Sequence, residues 1–164
     1  MNKPVVVSNT TPLILLQKIG QLELIQKLYT KIYIAEAVYQ ETVIEGNETT
    51  SRDDFVSKRD WIEIVEISNK DAKKMFTTNL HEGEVETMIL AIEKSADLCI
   101  IDDLIARKYA KKLNLNITGT LGVVIVGKKR GIIKEVKPMI NQLIDVGMYI
   151  GTDLYSTIIS IAGE

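Results

Sequence analysis

The chain is short of the residues that several common chemistries require. Its one cysteine, Cys99, excludes an internal disulfide framework and a cysteine-built zinc site. Its one histidine, His81, precedes a helical segment and reads as a surface or capping residue, and Cys99 lies in an apolar stretch and reads as core. The sequence offers no serine–histidine or cysteine–histidine set for nucleophilic catalysis. No run approaches the roughly 18 apolar residues of a membrane helix. Near the start, Val5, Val6 and Val7 give way to Ser8, Asn9, Thr10 and Thr11, too soon for the core of a signal peptide. A dominant charge is missing too. With 20 basic and 22 acidic residues the net charge is −2, which argues against coating nucleic acid through bulk charge. Repeats, low-complexity tracts and long linkers are absent, so residues 1–164 read as one domain of a soluble, cytoplasmic protein.

What is present alternates between two periods. Val5 to Ser8 reads as a buried strand, and Asn9, Thr10 and Thr11 offer capping side chains to a helix that ends at Gly20. A second helix carries Leu22, Ile25 and Leu28 on one face. Ile32 to Ile34 reads as a strand, residues 35–44 as a helix and residues 46–60 as a polar loop. Trp61 to Ile67 alternates apolar and acidic residues, which places it at a sheet edge. Asp71 to Phe76 reads as a short helix. Glu84 to Lys94 is predicted as a helix with Val85, Met88, Ile89 and Ile92 in one stripe. Leu98 to Ile101 and Asn116 to Thr118 are predicted strands flanking a basic helix over Leu104 to Leu113. Helices follow near 120–130, 135–146 and 152–162, the last two packed on the domain or used in self-association. The sum is an α/β fold with a mainly parallel sheet and helices on both faces.

In such a sheet, ligands bind beyond the C-terminal ends of the strands, near the point where strand order reverses. That rule selects Asn9, the adjacent Asp102 and Asp103, and Thr118 with Thr120. Glu41 shares the core-facing side of its helix with Val38. Glu84 opens the strongest helix, although Glu82 flanks the same apolar stripe equally well. Asn9, Glu41, Glu84, Asp102 and Asp103 form an oxygen-rich set that suits Mg²⁺ or Mn²⁺ and not zinc. The plainer reading stands beside it: Asp102 and Asp103 can cap the helix that starts at Leu104, and Glu84 can be an ordinary first-turn acid.

The segments VVVSNTTPLILLQKIG, HEGEVETMILAIEKSADLCIIDD and TGTLGVVIVGKKRGII resemble the PIN-domain superfamily, in particular its DUF3368 branch, across nearly the whole chain. The resemblance implies a five-stranded parallel sheet of order 3-2-1-4-5 and a metal-dependent nuclease site. By motif, Asn9 stands where the family has its first-strand aspartate, and Glu41, Glu84 and Asp102 with Asp103 match the remaining acids. It implies an endoribonuclease that hydrolyses single-stranded RNA with Mg²⁺ or Mn²⁺, working as a homodimer or larger homo-oligomer. Small PIN proteins also serve as toxins restrained by an antitoxin protein. Asn9 brings an oxygen donor without charge, so a catalytically decayed module that binds RNA or protein is the alternative. Arg107 and Lys108 lie near the acids in sequence, and Lys128, Lys129 and Arg130 form a second basic cluster. In a nuclease these, with Thr118 and Thr120, would hold phosphates; their plainer meaning is a solvated face and turn-closing hydroxyls.

Overall fold

The computed structural model describes residues 3–47, 54–76 and 79–164. Five parallel strands lie in the order β3-β2-β1-β4-β5: β1 Val6–Ser8, β2 Ile32–Ala35, β3 Ile62–Val65, β4 Leu98–Ile100 and β5 Ile117–Thr118. β1 is central because its residues are buried on both sides, and Val7 pairs with Tyr33 of β2 and with Cys99 of β4. β3 takes the edge, as its alternation implies, with Ile62 buried and Glu63 facing solvent.

Among the described residues eight α-helices pack around this sheet: α1 Thr10–Lys18, α2 Glu23–Tyr29, α3 Glu36–Asn47, α4 Glu82–Glu93, α5 Leu104–Lys112, α6 Thr120–Lys129, α7 Lys137–Asp145 and α8 Thr152–Ile161. The segment before α4 is a 3₁₀ helix over Lys70–Met75, capped by the Asn69 side chain on the Ala72 amide at 3.2 Å. Gly20, at φ +69°, makes the left-handed turn from α1 into α2.

Three expectations need correction. Asn9 sits at the N-cap of α1, yet its side chain makes no cap bond, so that amide is free for other work. α4 is not a one-stripe helix: residues Gly83 to Ala91 are buried all round, because α4 crosses β1, β2 and β4 while also meeting α3 and α5. Ile92, assigned to the stripe, is half exposed. Part of the polar 46–60 segment, residues 48–53, lies outside the described residues; within the remainder, Phe55 and Val56 join the core.

The core runs through Leu13, Leu16, Ile25, Ile32, Ile34, Met88, Leu90 and Ile100, all essentially inaccessible to solvent. Each such side chain contributes about 1.5–3 kcal/mol on burial. That core holds the strand ends rigidly. α8 packs on α6, and the Glu164 carboxylate accepts from Lys128 Nζ at 2.8 Å and from the Val136 and Lys137 amides at 2.7 and 3.0 Å.

Candidate metal centre

The strand order reverses between β1 and β4: β2 and β3 add on one side of β1, and β4 and β5 on the other. The ends of β1 and β4 therefore face the crevice where ligands gather in open sheets. β1 delivers Asn9, whose backbone N–H donates to the Ile100 carbonyl at 2.9 Å and so continues the ladder one residue past the strand. β4 delivers Asp103. α3 and α4 close the sides, bringing Glu41 and Glu84 to the same place. Asn9, Thr10, Glu41, His81, Glu84 and Asp103 line one pocket of about 550 Å³.

Two oxygens in this group lack what burial normally demands. Asn9 is 4% exposed and Glu84 is 7% exposed. Asn9 Oδ1 and Glu84 Oε2 are buried with no hydrogen-bond donor among the described residues. Leaving a buried acceptor unmet costs about 1–3 kcal/mol, so two in one pocket suit a donor or a cation placed between them.

The electrostatics agree. Glu84 is the third residue of α4 behind the N-cap His81, the capping-box position, and the His81 backbone N–H helps hold its charge. Burial nevertheless pushes its carboxyl up to about 7, and the neighbouring charges of Asp103 and Glu41 push the same way. Glu41 is oriented by Thr10, whose hydroxyl donates to Glu41 Oε1 at 3.2 Å. Asp103 does two jobs. Its Oδ2 accepts from the Ala106 amide at 2.9 Å, capping α5, while the residue stays exposed at the pocket mouth.

Asp102 stands apart from the other acids. The adjacent acids part company at the end of β4, and Asp102 turns towards α6. Its Oδ1 accepts from the Thr120 amide at 2.8 Å and its Oδ2 from the Thr120 hydroxyl at 2.6 Å. Both oxygens are used in fixing the start of α6, and Asp102 is not among the residues lining the pocket. Glu82, the rival of Glu84, also borders the pocket, but it is exposed and pairs with Lys73 at 2.7 Å.

Several residues assigned to phosphate binding are likewise committed elsewhere. Thr120 is fully buried on Asp102. Thr118 Oγ1 lies where a Cβ on Gly122 would stand. α6 begins at the C-terminal end of β5 and runs back along the sheet, so Lys128, Lys129 and Arg130 lie at the edge away from the pocket. There Lys128 pairs with Glu164, and Arg130 donates to the Leu28 carbonyl at 3.0 Å. Arg107 is half-buried and donates to the Ile101 carbonyl at 2.7 Å, beside the pocket rather than in it. Lys108 is exposed on the second turn of α5.

Thr10 and His81 belong to the pocket without having been singled out for it. Nothing in their spacing marks them. Gly83, between two glutamates at a helix start, was the available signal that something approaches α4 closely.

The donors that face the pocket are an amide oxygen and carboxylates, the set that hard divalent cations prefer, with no sulfur and one imidazole at the rim. The two unmet buried oxygens make Asn9, Glu41, Glu84 and Asp103 a fit for Mg²⁺ or Mn²⁺. Among the described residues no three Asp, Glu, His or Cys side chains already converge as a finished chelate, so an ion would have to draw these oxygens inward.

The DUF3368 family, a PIN domain, matches residues 5–164. No curated protein matches the chain. No helix among the described residues is long and apolar enough to cross a membrane.

Proposed function

Because the chain belongs to the PIN-domain family, whose members are generally nucleases of a metal-dependent build, we propose that it is a Mg²⁺- or Mn²⁺-dependent endoribonuclease that hydrolyses single-stranded RNA. The observation that carries the reading is the pair of unmet buried oxygens, Asn9 Oδ1 and Glu84 Oε2, in the pocket shared with Glu41 and Asp103. When bound, the cation supplies Lewis-acid polarisation of the phosphate and activation of water. The protein's part is to hold and orient. Glu41 is aimed by Thr10, Glu84 is fixed by the α4 cap, Asp103 is fixed by the α5 cap, and Asn9 adds a neutral donor. Lys108 stands exposed on α5, the helix that Asp103 caps, and can attract the phosphate backbone.

Purified protein should cut single-stranded RNA with Mn²⁺ and stop with EDTA. Cleavage that survives EDTA defeats the reading. Membership of the PIN family also leads us to propose a toxin held by an antitoxin protein; growth arrest on expression, relieved by a neighbouring gene product, is the test. Exposed Ile144, Tyr149, Leu154 and Ile161 on and between α7 and α8 favour self-association as a homodimer or larger homo-oligomer.

A second reading has one observation behind it. Asn9 removes the charge that the family's first aspartate would bring, so the fold can serve as a non-catalytic RNA- or protein-binding module. Wild-type protein that neither binds Mn²⁺ nor cuts RNA would favour it.

A further inference from the structure

Three glutamates open α4 at alternate positions and face three ways. Glu82, exposed at the pocket rim, reaches Lys73; Glu84 is buried in the candidate metal pocket; and Glu86 is buried against α3. Glu86 Oε1 accepts from the Ala37 backbone N–H at 3.2 Å. Its Oε2 lies 2.7 Å from Lys73 Nζ, which holds Glu82 Oε1 at the same distance.

The Ala37 amide needs that acceptor. β2 ends at Ala35 and α3 begins at Glu36, with no loop between them. Ala35 therefore stands where a capping side chain would be and has no oxygen to offer the first-turn amides. Glu86 supplies one from the neighbouring helix, and its charge meets the positive end of the α3 dipole.

The placement bears on the pocket. Ala37 and Glu41 are one turn apart on the same face of α3, and Gly83 and Glu86 share a face of α4. α3 thus meets α4 at two levels, with the Ala37 N–H on Glu86 and the Glu41 carboxylate over Gly83. We propose that Glu86 is a positioning residue that fixes the register of α3 against α4 and so sets where Glu41 stands relative to Glu84. What that placement serves rests on the metal-site reading above. Glu86 itself touches neither ion nor substrate.

The test is Mn²⁺ titration by calorimetry of the full chain, with amide hydrogen exchange on the metal-free protein. Glu86→Ala should weaken Mn²⁺ binding about tenfold or more, the usual scale for loss of an orienting partner. Glu86→Gln keeps an oxygen for Ala37 and should stay within about threefold of wild type. Glu93→Ala is the control. Glu93 also ties down backbone amides, those of Ser68 and Asn69 at 2.9 and 2.8 Å, but at the far end of α4. It should lower the melting temperature and leave Mn²⁺ affinity unchanged. Exchange at residues 37–41 should rise in Glu86→Ala and not in Glu93→Ala. If Glu86→Ala does not fold, Glu86→Asp, which keeps the charge but falls a methylene short of Ala37, takes its place with the same expected loss.

Wild-type affinity in Glu86→Ala overturns the proposal. So does a Glu93→Ala loss of equal size, or a Glu86→Gln variant as weak as Glu86→Ala, since charge rather than position would then be at work. Wild-type protein that binds no Mn²⁺ defeats the metal-site reading instead. Exchange then decides alone: unchanged protection at Ala37 in Glu86→Ala ends the proposal, and lost protection upholds it.

Discussion

The carboxylate of Glu41 fills the space that a Cβ on Gly83 would occupy. Such a carbon would stand 2.7 Å from Glu41 Cδ and closer still to both oxygens. Gly83 has no left-handed backbone to justify a glycine, so the close approach of a side chain from α3 is what requires one. The absence of a single methyl group lets an acid from one helix lie directly over another.

Gly83→Ala is therefore a clean probe of the pocket. Alanine is favoured over glycine within a helix by about 1 kcal/mol, so α4 itself gains. Glu41, however, must leave its place. We expect a protein that melts within a few degrees of wild type, as the gain and the displacement offset, and whose Mn²⁺-induced rise in melting temperature falls by at least half. An undiminished metal shift would show that Glu41 is not needed at that spot.

The two adjacent aspartates should separate under mutation. Asp103→Asn keeps an oxygen for the Ala106 amide, so the α5 cap survives while a pocket charge is lost. It should bind Mn²⁺ at least tenfold more weakly with little change in stability. Asp102→Asn exchanges one acceptor for a donor facing Thr120. It should cost about 1 kcal/mol of stability, the scale of a lost helix cap, and leave Mn²⁺ affinity near wild type. Calorimetric titration of both variants, with thermal melts, checks the division. The reverse pattern would place Asp102 at the ion.

The same pair shows where sequence stops. The alternation of strands with helices, the edge position of β3 and Asn9 at the end of β1 were legible, because consecutive β-branched residues and helical spacing dictate burial; the strand order, and Glu84 in preference to Glu82, came from the resemblance to the PIN family. Which of Asp102 and Asp103 turns into the pocket was not. That depends on Thr120, eighteen residues later, arriving close enough to take both oxygens of Asp102. The placement of the basic cluster at Lys128 to Arg130 was not legible for a related reason. Its charge is plain in the sequence, but the direction in which α6 runs, and the Glu164 and Leu28 partners waiting at its end, come from tertiary packing. Nothing in the spacing of Glu86 marks it; the start of α3, which lacks a capping side chain, gives it a partner only in the fold.

The raised carboxyl of Glu84 predicts a pH dependence with a definite sign. In the unfolded chain this group titrates at 4.5, and in the fold at about 7. Between those values the folded state keeps a proton that the unfolded state gives up, so its contribution to stability is full below 4.5 and is lost as pH rises to about 7. The pocket is open, and screening by solvent reduces the effect to about 1–2 kcal/mol. Melts in EDTA from about pH 5 to about pH 8 should show this decline, and Glu84→Gln should flatten it. Mn²⁺ should reverse the trend, because metal binding needs the deprotonated carboxylate and so strengthens as pH rises. A decline that persists unchanged in Glu84→Gln would assign it to another group.

Asn9→Asp tests what the missing charge does. The substitution places a fourth carboxylate beside Glu41, Glu84 and Asp103 without altering side-chain size. Like charges in one buried pocket repel, so the metal-free variant should melt several degrees lower than wild type, most clearly at a pH above the Glu84 transition. A divalent cation relieves that repulsion and gains a charged ligand, so Mn²⁺ should bind about tenfold more tightly and restore the lost stability. On the nuclease reading wild type already cuts RNA with Mn²⁺, and the variant cuts at lower metal concentration. Wild type that is inert while Asn9→Asp gains EDTA-sensitive cleavage would instead mean that the pocket is a decayed nuclease site, one charge short of activity. Equal Mn²⁺ affinity in the two proteins would mean that the Asn9 oxygen does not face the ion at all.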